Sequence, residues 1–374
     1  MASAKNTELL GHIDCAGGGQ VWVEGTTLYV GHMRSPNGTS IYDVADPRQP
    51  CLLAQVPMPE GWHSHKVRVA NGIMIVNHER LGQGAPEFGG GLGIYDVSNP
   101  SKPKLVTKWT TAGKGVHRYS FDGRYAYISP TAQGYVGNIA MILDLADPAQ
   151  PTEIGRWWIP GQWAAGGEAY PWADYTEPRC HHPLRLSDRL YVSYWHHGMF
   201  ILDISDMSKP RLVAEGIKSR AFPHPTHTCL PVPQRLKGRA VMVVADEDVA
   251  KLAPAAPAFT WIYDITDERA PIPIGTFQVD GIHADGAPQT PMTGCHQPSE
   301  RFTGTVIPFA WFAQGLRLVD IADPFHPREV GHYLPDPPQG FDRVSANDVT
   351  IDSRGLVYLV DRQRGIDIVD TSVM

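Results

Sequence analysis

"LVDIADPFHP", residues 318–327, decides the fold, because its pattern returns along the whole chain. Its counterparts are "IYDVADPRQP" (41–50), "IYDVSNPSKP" (94–103), "ILDLADPAQP" (142–151), "ILDISDMSKP" (201–210), "IYDITDERAP" (262–271) and the truncated "IVDTSVM" (368–374). The motif aspartates Asp43, Asp96, Asp144, Asp203, Asp264, Asp320 and Asp370 recur every 48 to 61 residues. That period fits a four-stranded propeller blade better than an ankyrin or leucine-rich repeat.

Each copy reads as a strand ending in Asp, an Asx/Pro turn, and a second apolar run such as "KLVTKW", "TEIGRW", "IPIGTF" or "REVGHY". These two strands form the outer half of a blade. Upstream hairpins, such as "HRYSF" turning at Asp122-Gly123 into "RYAYIS", supply the inner half. The seventh copy stops at Met374 without an outer strand, whereas residues 8–13, "ELLGHI", match that strand with no blade before them. The expectation is an all-β, single-domain chain over residues 1–374. It is a seven-bladed β-propeller closed by an N-terminal strand completing the last blade, which leaves no exposed sheet edge.

The stretches "LRLVDIADP" and "GIDIVDTS" resemble the LVIVD-repeat family, and the likeness runs over essentially the whole chain. The resemblance implies a propeller and little chemistry, so function has to be argued from a site.

Composition narrows the partners. The net charge is −7 with 37 Gly and 33 Pro, and no Lys/Arg-rich run occurs. Neither nucleic acid nor a membrane is expected as a partner. The start lacks a secretory apolar core and no stretch approaches a membrane span, which predicts a cytoplasmic location. Five cysteines, an odd count in a long chain, are expected to be reduced thiols. Cys180, Cys229 and Cys295 sit beside histidines, where packing is favoured over ligation.

The 16 histidines cluster at strand ends. His63, His65, His117, His181, His182, His224, His227 and His296 fall at the starts of inner strands. His32, His78 and the pair His196-His197 fall at the ends of their partners, as do Glu79, Glu247 and Asp361-Arg362. In a propeller those two positions share one face, at the mouth of the central channel. Converging neutral imidazoles bind a transition metal or exchange protons.

The expected metal ligands are His65, His117, His182, His227 and His296, with Glu79, Glu247 and Asp348 orienting them. The metal is expected to be a divalent transition ion, Fe or Cu before Zn. His196, His197 and Glu247 are the expected acid/base groups. The arrangement is similar to the four-histidine iron site of the carotenoid-cleaving oxygenases, another seven-bladed propeller. That likeness is architectural, with no shared motif.

Rim tryptophans Trp62, Trp195 and Trp311 are expected to wall an apolar or aromatic substrate, with the insertions 80–91 and 159–178, including Trp163 and Trp172, as lids. The repeated aspartates read as turn formers, since a site is built once. No Ser/His/Asp elbow, GxGxxG or HExxH occurs. The expected function is metal-dependent oxidative cleavage or oxygenation of a small apolar or aromatic molecule. A zinc-type hydrolase, lactonase or lyase on the same site comes second, and a non-catalytic protein-binding propeller third. The oligomeric state is left open.

Overall fold

The computed structural model describes residues 2–81, 89–171, 177–216, 222, 224–248, 258–280 and 292–374. Seven antiparallel sheets make up the chain, which is a seven-bladed β-propeller. A representative blade runs Val116–Phe121, Tyr125–Pro130, Ala140–Asp144 and Thr152–Trp157, each strand pairing with the next. The motif strand is always third. In the last blade Ala346–Ile351, Val357–Asp361 and Gly365–Thr371 are followed by the N-terminal strand Thr7–Ile13, with Thr7 opposite Thr371 and Ile13 opposite Ile366. One addition was not legible beforehand: Ser3–Lys5 pairs with Arg328–Leu334 as a fifth strand of its sheet.

The motif explains the outer half of each blade. Asp203 Oδ1 accepts the Ser205 amide at 2.8 Å and Asp206 Oδ1 the Ser208 amide at 3.0 Å. The same contacts recur at Asp144 and Asp264. The aspartates are therefore turn formers, satisfying backbone donors that would otherwise compete with the ladder. A register shift interrupts the motif strand and its outer partner between Ile201 and Leu202, between Ile142 and Leu143, and between Ile262 and Tyr263, a bulge that adds twist.

The chain falls into two compact units, each described by itself. The first comprises Met1–Leu28, Tyr42–Cys51 and Lys218–Met374, and the second Tyr29–Ile41 and Leu52–Ile217. In the second, Tyr127 and Ile142 of one blade pack on Leu190, Val192 and Phe200 of the next. In the first, Leu316 and Leu318 pack on Val349, Ile351 and Val357. Each such side chain contributes roughly 1.5–3 kcal/mol by leaving water. Middle strands such as Val241–Asp246 are buried throughout, whereas outer strands such as Lys104–Thr110 are mostly exposed. No helix among the described residues is long and apolar enough to cross a membrane.

Candidate metal centre

In the second unit, four imidazoles from three blades form a continuous row. Trp62–His63 pairs with the end of Ile73–Arg80, which sets His63 opposite Glu79. The His63 and His65 rings stack with centroids 3.6 Å apart, His65 lies 5.0 Å from His117, and His117 lies 4.9 Å from His181. The row ends on Trp195, 4.8 Å from His181. One donor atom from each of His63, His65 and Glu79 lies within 4.8 Å of the others.

Hydrogen bonding fixes the tautomers. His63 Nδ1 meets the Met33 carbonyl at 2.7 Å, and a carbonyl only accepts, so Nδ1 carries the proton and Nε2 the lone pair. His117 Nδ1 meets Glu79 Oε2 at 2.7 Å, which likewise directs the Nε2 lone pair away from the carboxylate. Burial pushes His65 well below the ordinary imidazole range, helped by His63 and Lys66. Burial does the same to His117, helped by Arg179 and Lys66. Both rings are thus neutral and able to ligate. Burial also pushes Glu79 upward, opposed by Arg179, His63 and Lys66.

Asn77 organises this corner. Its Oδ1 accepts the Lys66 amide at 2.8 Å, which orients the side-chain amide so that Nδ2 donates to the Val116 carbonyl at 3.0 Å. That contact ties the start of the His117 strand to the segment carrying His63 and His65.

The first unit holds a second set. The His227 and His296 rings lie 4.4 Å apart. Glu247 Oε2 is 3.8 Å from His227 Nε2, and its Oε1 is 3.6 Å from His296 Nε2. His296 Nδ1 donates to the Asn347 carbonyl, leaving the lone pair on Nε2. For His227 the proton follows from a relay. Gln297 Nε2 donates to the Pro298 carbonyl at 2.8 Å, so Gln297 Oε1 is the acceptor for the Thr228 hydroxyl at 2.8 Å. Thr228 Oγ1 therefore accepts from His227 Nδ1 at 2.9 Å. Two Nε2 lone pairs thus face one carboxylate, an arrangement that calls for a cation or a proton between them. Phe312 stacks on His296 at 4.5 Å.

The other expected residues take different places. His182 is fully buried on His182–Leu186, opposite Ser193, while it is the preceding His181 whose ring joins the row. His196 and His197 sit in the turn after Arg189–Ser193. Here Trp195 has φ 37° and its ring meets His181 at 4.8 Å, with the His196 ring edge-on to it at 6.1 Å. Burial, with His196, pushes His197 down to about 4. Asp348 accepts the Val21 amide at 3.0 Å.

Trp62 and Trp311 are buried, whereas Trp163 is exposed. Part of the second insertion is ordered around Glu168, which accepts the Gly161 and Trp163 amides and the Trp158 indole. Residues 82–88 and 172–176 of the expected lids, with Trp172, lie outside the described residues. Cys180 and Cys295 are buried with thiols pushed well up by burial, so both are neutral packing groups. His63 and His181 are read from sequence as channel-mouth histidines but not chosen as ligands, and Arg179 is not singled out. The spaced pair in "WHSH" and the adjacent pair in "RCHH" are the signal for the two histidines.

The LVIVD repeat model matches residues 87–111, 120–158, 188–215 and 309–334. No curated protein sequence matches the chain. Among solved structures it is similar to the periplasmic gluconolactonase PpgL of Pseudomonas aeruginosa. The TM-score is 0.61 at 12% identity, covering 96% of this chain and 89% of that one. It is similar also to Sqt1 of Saccharomyces cerevisiae, with TM-score 0.55, 9% identity, and 98% and 87% coverage. A computationally designed protein, Ika8, matches with TM-score 0.54, 8% identity, and 96% and 98% coverage. At such identities the likeness is one of fold.

Proposed function

Because the chain is a seven-bladed β-propeller in which LVIVD repeats match at four stretches, a scaffold that prescribes no chemistry of its own, we propose from the donor sets that it is a metal-dependent enzyme acting on a small apolar or aromatic molecule. The observation that carries this is the pair of Nε2 lone pairs, on His227 and His296, turned toward the carboxylate of Glu247. The His63, His65, His117 and Glu79 set supports it independently, with His65 and His117 kept neutral by burial and the Nδ1 protons of His63 and His117 committed to Met33 and Glu79.

Imidazole-rich sets with few carboxylates suit Fe or Cu. The reaction ranked first is oxidative cleavage or oxygenation, with a bound metal supplying the redox and Lewis-acid chemistry. The residues of this chain orient the donors and keep the rings neutral. Glu247, flanked by the two imidazoles, is placed to accept or return a proton.

A second reading is hydrolysis at a zinc-type centre, lactone opening included. Two imidazoles with one carboxylate, as in His63, His65 and Glu79, form a zinc-compatible set, and the fold is shared with a gluconolactonase.

Plasma mass spectrometry on untagged protein tests the proposal, comparing wild type with His117→Ala and His296→Ala. Near-stoichiometric Fe or Cu that falls in the variants supports oxidative chemistry, and Zn supports the hydrolytic reading. No metal in wild type, with no uptake on reconstitution, overturns both.

A further inference from the structure

Cationic side chains act on the imidazole row: Arg179, Lys66 and Arg118 each push His117 toward its neutral form. Arg179 stands two residues before His181, and its half-exposed guanidinium lies 4.9 Å over the Trp195 ring. The same indole meets His181 at 4.8 Å. Among the described residues the guanidinium makes no ion pair. Its field nonetheless reaches the row: after burial, Arg179 is the largest influence on both Glu79 and His117. Lys66 acts on the same two groups, and Arg118 on His65 and His117. Glu79 is already engaged by His117 at 2.7 Å.

A guanidinium held on an indole is weakly hydrated, ordered, and presents a planar donor fork suited to a carboxylate. The indole extends an apolar surface from that fork to His181. Trp195 is held in this pose by the turn in which Tyr194 donates its amide to the Gly198 carbonyl at 2.8 Å.

We propose that the substrate is an aromatic or otherwise apolar carboxylate, its anionic group received by Arg179 and its apolar body lying along Trp195 toward His181. This rests on the reading of the row as a reaction centre and names the class of molecule it takes. The carboxylate pairs with the Arg179 guanidinium while the apolar portion is delivered to the imidazoles.

Calorimetric titration of the full-length, metal-depleted protein tests it, so that a probe carboxylate has no metal to bind. The probes are benzoate, benzyl alcohol, acetate and phenyl phosphate. Benzoate is expected to bind more tightly than benzyl alcohol or acetate. Arg179→Gln should weaken benzoate at least tenfold and leave benzyl alcohol unchanged. Trp195→Ala should weaken both aromatic probes, and Arg179→Lys should restore part of the loss.

Undetectable benzoate binding, equal binding of benzoate and benzyl alcohol, or indifference to Arg179→Gln overturns the proposal. Phenyl phosphate binding tenfold tighter than benzoate replaces the carboxylate with a phosphate monoester. Metal content is measured separately on undepleted Arg179→Gln and wild type and should be equal. Benzoate binding retained in a protein that never takes up metal would remove the metalloenzyme reading and leave the anion site standing.

Discussion

His117 presents Nδ1 to Glu79 Oε2 at 2.7 Å, and the two residues come from neighbouring blades. Glu79 ends one inner hairpin on Ile73–Arg80, and His117 begins the next on Val116–Phe121. The contact therefore sets ring orientation and basicity through a joint between blades. Glu79→Ala is expected to lower metal affinity about 10- to 100-fold, the usual cost of removing a carboxylate behind a ligating imidazole. Glu79→Gln keeps an acceptor oxygen without the charge and should fall between. Chelator competition measures both, and equal affinity in all three proteins would show that the contact does not orient a ligand.

The repeat made the blade legible for a physical reason. A turn aspartate is locally determined: Asp203 needs only the amide two residues on, so it appears in sequence wherever the turn appears in space. The N-terminal strand was legible because one outer strand was missing and "ELLGHI" was left over. The choice between His181 and His182 was not legible. Successive strand residues point to opposite faces, so it depends on a register that the pairing of His182 with Ser193 sets. The rim position of Trp195 was legible but its contact was not, since its left-handed backbone, not its neighbours in sequence, turns the ring onto His181.

Thr228 is expected to act on the first unit's donor set through His227. Thr228→Val removes the acceptor of His227 Nδ1 and strands a buried donor, which should cost about 1–3 kcal/mol in stability. Metal affinity should fall about tenfold or more, because Nε2 is no longer the defined lone pair. Thr228→Ser should recover both. Urea unfolding and chelator competition on the same samples separate the two effects. Lost stability with unchanged affinity would make Thr228 purely structural.

Acid should unfold the protein through its turns. Hydrogen bonds from the Ser98 hydroxyl and amide hold Asp96 below the usual carboxylate range, the Ser205 amide and hydroxyl do so for Asp203, and the Arg124 guanidinium does so for Asp144. A depressed folded pKa means the unfolded chain takes up protons first. The stabilisation is full above the ordinary value of about 4 and is lost as pH falls through the folded values. The urea midpoint should therefore drop below about pH 4. Asp203→Asn, which keeps the acceptor but not the charge, should lower the midpoint at pH 7 and flatten that acid limb. An unchanged limb would mean these carboxylates do not govern acid unfolding.

Gly155 on Thr152–Trp157 tests how the outer strands fit the neighbouring blade. A Cβ at this position would stand 2.0 Å from the Met207 carbonyl oxygen, which belongs to the turn of the next motif copy. Backbone cannot swing aside as a side chain can, so Gly155→Ala should cost about 3 kcal/mol, at the upper end for overpacking. Gly275 meets the Pro324 carbonyl in the same way, with 2.5 Å available. Gly238 is the contrast: it has φ +81° and nothing within 4 Å, so Gly238→Ala carries only the left-handed backbone penalty of about 1–2 kcal/mol. Urea midpoints for the three variants should rank Gly155→Ala as least stable and Gly238→Ala as most stable. The reverse order would mean that the blades yield at this joint, and that the outer-strand glycine of the repeat is kept for its conformation and not for close approach.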